Sequence, residues 1–163
     1  MSLTASLLSD APPQIDDTVV LDYDARLIRR RMLTSTGGTG FLVDLPNVTN
    51  LDAFWGFALS DGRHVQITPA QESVLVITGD LPRLAWHIGN RHTPCQILPD
   101  RLIIREDHVL ENMLVGLGGH IHRASLPFTP EGGAYGHGRT MGHSHGHDHA
   151  HDHAHDHGHS HDH

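Results

Sequence analysis

The chain of 163 residues has no lysine, one cysteine and no apolar run approaching 18 residues. Each absence removes a class of chemistry. Without lysine there is no phosphate-loop lysine, no Schiff base and no lysine general base. One cysteine forms neither an intrachain disulfide nor a four-thiolate metal site. No segment is long enough to span a bilayer as a helix. The stretch 1–13 carries no positive charge, and Leu7-Leu8 is too short for a secretory core, so a cytoplasmic location is expected. Basic charge is also scarce: eleven arginines face nineteen acids, a net −8. Four of those acids (Asp148, Asp152, Asp156, Asp162) lie near the C-terminus, which leaves −4 on residues 1–142. An acidic body lacks the basic face that displaces counterions from nucleic acid.

What is abundant is histidine. Eleven of eighteen fall in the last 21 residues: His143, His145, His147, His149, His151, His153, His155, His157, His159, His161 and His163. They occupy every second position, separated by Gly, Ala, Ser and Asp. No apolar residue larger than alanine follows Met141, so nothing offsets the entropy of ordering this segment, and 136–163 is expected to be a disordered metal-binding tail. Imidazole is a common ligand for borderline divalent ions and is mostly neutral near pH 7. At roughly four to six donors per ion, eleven imidazoles hold on the order of two ions. Copper leads the Irving–Williams order, so a preference for Ni²⁺ or Zn²⁺ has to come from supply or geometry. The alternatives are a purification tag, though tags are usually contiguous histidines, and a solvated low-complexity tail.

The preceding 135 residues divide by pattern. Residues 1–71 read as β-rich, with short runs at Thr18–Tyr23 and Phe41–Val43 and a hairpin signal at Asp61-Gly62. Arg29-Arg30-Arg31 reads as a solvated strand edge, with a ligand or partner site as the alternative. Residues 72–135 alternate differently. Val74–Ile77 is an apolar β-branched run. A helix then follows with Asp80 as N-cap, Pro82 in its first turn and Gly89 as its stop. Leu81, Leu84, Ala85 and Ile88 form its apolar stripe. Strands are expected at Cys95–Leu98 and Leu102–Arg105, turning at Pro99-Asp100. A second helix, capped by Asp107, carries Leu110, Met113, Leu114 and Leu117 and ends at Gly118-Gly119. An extended stretch from His120 to Leu126 closes the series. The order β-α-β-β-α-β is that of a ferredoxin-like unit, so the class is α+β.

Body histidines are weaker candidates than the tail. His92 falls on a connector between a helix stop and Pro94, His87 and His108 lie off the helical stripes, and His120 with His122 share one strand face. For each, a solvated residue is the alternative. Cys95 reads as a packed strand cysteine.

Several of these residues belong to a larger pattern. Trp86-His87-Ile88-Gly89-Asn90-Arg91-His92-Thr93-Pro94, then Asp107-His108-Val109-Leu110 with Met113-Leu114, then Leu126–Tyr135 (LPFTPEGGAY) occur in order before a histidine-rich end. Together they resemble the UreE family of urease accessory proteins. The resemblance implies a homodimeric nickel chaperone with an N-terminal β domain for peptides or partners. It makes His92 an interface ligand from both subunits, His108 a secondary ligand and His87 a nearby histidine. It also implies delivery of Ni²⁺ to the urease assembly complex through an accessory GTPase. Glu106 departs from the histidine that some members carry there, which leaves a second body site open or carboxylate-based.

Taken with the tail and the resemblance, a carrier is favoured by its labile ligands and by the lack of a nucleophile elbow or acid/base pair. A histidine-rich metal store without a delivery partner is the competing reading. A metal-dependent hydrolase needs three body ligands and a general base, and no His-Glu-x-x-His helix is present.

Overall fold

A computed structural model describes residues 2–132. Their class is mixed α+β, with two sheets and two helices. In the first half, strands β1 (Leu3–Leu8), β2 (Asp17–Leu21), β3 (Leu27–Thr34), β4 (Gly40–Asn50), β5 (Gly56–Leu59) and β6 (His64–Pro69) form one sheet in the order β2-β6-β5-β1-β4-β3. A 3₁₀ turn, Leu51–Ala53, joins β4 to β5. The hairpin at Asp61-Gly62 forms as expected, with Phe57 opposite Val65 and Gly62 at φ 89°. Ser60 to Gly62 make a three-residue loop, where the glycine takes the left-handed position.

Three features of this sheet depart from local expectation. β1 was not legible as a strand, yet it lies centrally between β5 and β4. Its pairing with β4 and that of β2 with β6 are parallel, which needs partners distant in sequence. The first expected run ends at Leu21 rather than Tyr23, and Tyr23 turns away to the second sheet. β3 is an edge strand with Arg29, Arg30 and Arg31 exposed, the placement expected of a charged edge. Apolar residues of β2–β6, including Phe41, Val43, Phe57 and Val65, fill one core cluster.

The second half runs β7 (Gln71–Thr78), α1 (Leu81–Asn90), β8 (Gln96–Ile97), β9 (Leu102–Arg105), α2 (His108–Gly116) and β10 (His120–Pro127). The expected element order is the observed one. Its four strands are ordered β10-β7-β9-β8, every neighbouring pair antiparallel. Both helices cover one face, where Leu84 and Ile88 of α1 and Leu110 and Leu114 of α2 pack on Leu75, Ile77, Leu102 and Ile104. Leu117 differs from its assigned place: it is the C-cap of α2 and partly exposed.

On the sheet's other face Tyr23 and Phe128 pack on Val74 and Ile103, their rings meeting edge-on at 5.4 Å. The fully buried Arg26 fastens this junction, donating from Nε to Asp52 Oδ1 (2.7 Å), from Nη1 to the Leu21 carbonyl (2.9 Å) and from Nη2 to the Phe128 carbonyl. Arg105 lies over the Tyr23 ring at 4.8 Å and pairs with Asp24 at 3.0 Å. Among the described residues no helix is long and apolar enough to cross a membrane.

Candidate metal centre

The two helices end in the same way with different residues. After α2, the Gly118 N–H bonds the Val115 carbonyl and the Gly119 N–H bonds the Leu114 carbonyl, with Gly118 at φ 84°. After α1, the His92 N–H bonds the Gly89 carbonyl (3.0 Å) and the Thr93 N–H reaches the Ile88 carbonyl (3.5 Å). Both are Schellman closures, in which the residue beyond the C-cap adopts the left-handed conformation. In α1 that residue is His92, at φ 56° and the single non-glycine with positive φ among the described residues. The expected stop at Gly89 is therefore corrected: Gly89 stays helical, and the chain turns at His92. At the other end of α1, Asp80 occupies the N-cap position without a side-chain cap bond, its carboxylate facing Arg83 instead (3.6 Å).

This turn presents His92, exposed, to an open cleft of about 470 Å³ lined by Glu72, Arg105, Glu106 and Asp107 among others. Sequence reasoning had not brought these groups together, because they come from β7, β9 and the start of α2. The carboxylates already serve the fold. Asp107 caps α2 by accepting from Val109 N (2.9 Å) and Leu110 N (3.0 Å), as expected of it. Glu72 accepts from Tyr23 N (2.9 Å). Glu106 faces Arg123 of β10 at 3.5 Å.

His108 is the first residue of α2 and exposed; its Nδ1 lies 3.9 Å from Glu111, one helical turn on. Glu111 in turn accepts from Arg123 Nη2 at 3.0 Å. The Arg123 guanidinium thus bridges Glu106 and Glu111. Glu111 had a local signal, three residues after His108 on a helix, but Arg123 had none. His87, off the apolar stripe as expected, is half-buried, its ring edge-on to the exposed Trp86 at 5.0 Å. Burial, then the Glu131 charge, push the Cys95 thiol up to about 11, which keeps it protonated and a poor ligand, in line with its packed reading. Among the described residues no three His, Cys, Asp or Glu side chains converge on one point as a metal site. The eleven tail histidines lie outside the described residues.

Residues 72–163 match the family model described as the UreE urease accessory protein, C-terminal domain. The urease accessory protein UreE of Rhodobacter capsulatus is 62% identical over 127 residues, covering 78% of this chain and 81% of that one. The UreE of Paracoccus denitrificans is 60% identical over 134 residues (82% and 86%), and that of Ruegeria pomeroyi 53% over 132 (80% and 89%). The chain belongs to the UreE family. The motifs of this UreE chain map onto the surface just described: Trp86–Pro94 is the last turn of α1 with its left-handed exit, and Asp107–Leu110 is the capped start of α2 across the cleft. The LPF motif ends β10 and supplies Phe128, the residue gripped by Arg26.

Proposed function

We propose that the chain is a nickel metallochaperone that donates Ni²⁺ during urease metallocentre assembly. The observation that carries this reading is His92, an imidazole in a left-handed position that glycine would occupy with less strain, displayed at the mouth of a carboxylate-lined cleft. One imidazole is a weak ligand, and weakness suits a carrier that has to release its cargo. In a homodimer, the His92 side chains of two subunits meeting about a twofold axis share one ion in an open site. His108, exposed at the start of α2, and His87, on α1, are the further candidate ligands.

The domains assigned are 1–71 for partners, 72–135 as the ferredoxin-like metal-carrying unit, and 136–163 as the tail that collects metal. Support for linking tail to cleft comes from the segment after β10. Glu131 N bonds the Cys95 carbonyl (2.9 Å) and Thr129 N bonds Gln96 Oε1 (3.1 Å), which holds the segment 129–131 beside the strand that follows the His92 loop. His143 lies twelve positions beyond Glu131, about 40 Å when fully extended, ample for tail imidazoles to reach His92. The recipients are the urease accessory GTPase and the urease assembly complex, and no catalytic step is required of this chain.

The test is nickel-dependent urease activation in cells with the intact chain, a deletion of 143–163, and His92→Ala. Donation through the cleft is expected to suffer most from His92→Ala, the deletion lowering activation chiefly when nickel is scarce. If only the deletion matters and His92→Ala activates like the native chain, a metal store is the better description.

A further inference from the structure

The histidines of β10 take no part in the reading above. His120 and His122 alternate with Ile121, which packs toward the helices, so both imidazoles rise from the sheet face opposite α1 and α2. Both are exposed. The strand beneath them is held in register by β7, with His120 opposite Thr78 and His122 opposite Val76. Residues two apart on a strand are roughly 6.8 Å apart at Cα, a spacing from which two imidazoles can lean onto one ion. Neither ring has a hydrogen-bonding or ionic partner among the described residues. The cross-strand neighbours Thr78 and Val76 are uncharged. The neighbouring guanidinium on the strand, Arg123, lies on the opposite face, held by Glu106 and Glu111. β10 is also the outermost strand, so space beside the pair is open for the rest of a coordination shell.

We propose that His120 and His122 form a two-imidazole site for a borderline divalent cation such as Ni²⁺, separate from the His92 cleft. Two nitrogen donors on a rigid ladder favour Ni²⁺, Cu²⁺ or Zn²⁺ over Mg²⁺ or Ca²⁺, which require oxygen. Water completes the shell, so the ion exchanges readily. The pair is a chelate: losing either ring removes the gain of joined donors.

The full chain, labelled with ¹⁵N, is titrated with Ni²⁺ beyond what the tail takes up, and paramagnetic broadening is followed at each backbone amide. Broadening centred on Ile121 and His122, and across the ladder on Val76 and Thr78, is expected. His120→Asn and His122→Asn, each alone, are expected to raise the Ni²⁺ needed about tenfold or more. Unchanged amide shifts of the buried Phe41 and Leu84 establish that the variants fold. Two results overturn the proposal: no broadening at these amides at saturating Ni²⁺, or single variants that respond like the native chain, which would trace it to one imidazole or to ions held elsewhere. Neither result bears on donation through His92, which urease activation reads separately.

Discussion

At His92 the backbone and the side chain have different interests. An L-residue at φ 56° costs about 1 kcal/mol relative to glycine, and α2 closes the same motif with Gly118. His92→Gly is therefore expected to raise stability by about 0.5–1 kcal/mol, read as a higher midpoint in thermal denaturation, while nickel donation falls. His92→Ala keeps the strained backbone and should lose donation without that gain. A variant that is more stable and less active separates the imidazole from any structural duty. Cys95, three residues on, is the reverse case. Its thiol is pushed up to about 11, so at neutral pH it offers no thiolate. Cys95→Ala is expected to leave the Ni²⁺ stoichiometry unchanged in equilibrium dialysis; a lost equivalent would make this cysteine a ligand after all.

Among the elements, the six-stranded sheet has a seam. Its two edges, β2 and β3, are far apart in strand order, yet the turn after β3 returns to β2. Asp17 of β2 accepts from Ser35 Oγ (2.5 Å), Thr18 N (2.8 Å) and Gly37 N (3.2 Å). The Ser35 hydroxyl foremost, with the Thr18 and Gly37 amides, holds the Asp17 carboxyl below the usual carboxylate range, against an opposing effect of burial. A carboxyl depressed in the fold contributes stability above its unfolded pKa of ~4 and loses it as pH falls through the lower folded value. Asp17→Asn is expected to melt at a lower temperature than the native chain at neutral pH, the gap closing as pH drops below about 4. A gap constant with pH would mean that the charge plays no part. Such a seam was illegible in the sequence, as were β1 and the parallel pairs, because each depends on partners dozens of residues away. What was legible depended on short-range periodicity: the stripes of α1 and α2, the Asp107 cap, the Asp61-Gly62 hairpin and the order of the last six elements. The site divides the same way. His92 stood out through its motif, whereas its left-handed turn and the Arg123 bridge appear only once helices and strands are packed.

For the whole molecule, the proposed collecting role of the tail and the junction between the sheets can each be tested. Imidazole binds metal only when neutral, so if the tail collects Ni²⁺ as proposed, acidification through about pH 6.5 is expected to release most of what the full chain holds. Deleting 143–163 should remove most of that pH-dependent fraction in dialysis, and a chain that binds as much without the segment would deny it a collecting role. Arg26 sits at the junction between the sheets. It is the buried cation through which Asp52, the Leu21 carbonyl and the Phe128 carbonyl are tied together, and Phe128 leads into the segment pinned beside Cys95. Replacing it with methionine strands a carboxylate and two carbonyls, a loss of roughly 3 kcal/mol, or about 10 °C in a chain of this size. Arg26→Lys should recover only part, because an ammonium cannot span three acceptors as a planar guanidinium does. If the junction also holds the base of the tail near His92, Arg26→Lys, assayed well below its melting point, should take up Ni²⁺ normally and activate urease more slowly. Normal activation by that variant would reduce Arg26 to a stabilising contact and leave delivery to the length of the tail alone.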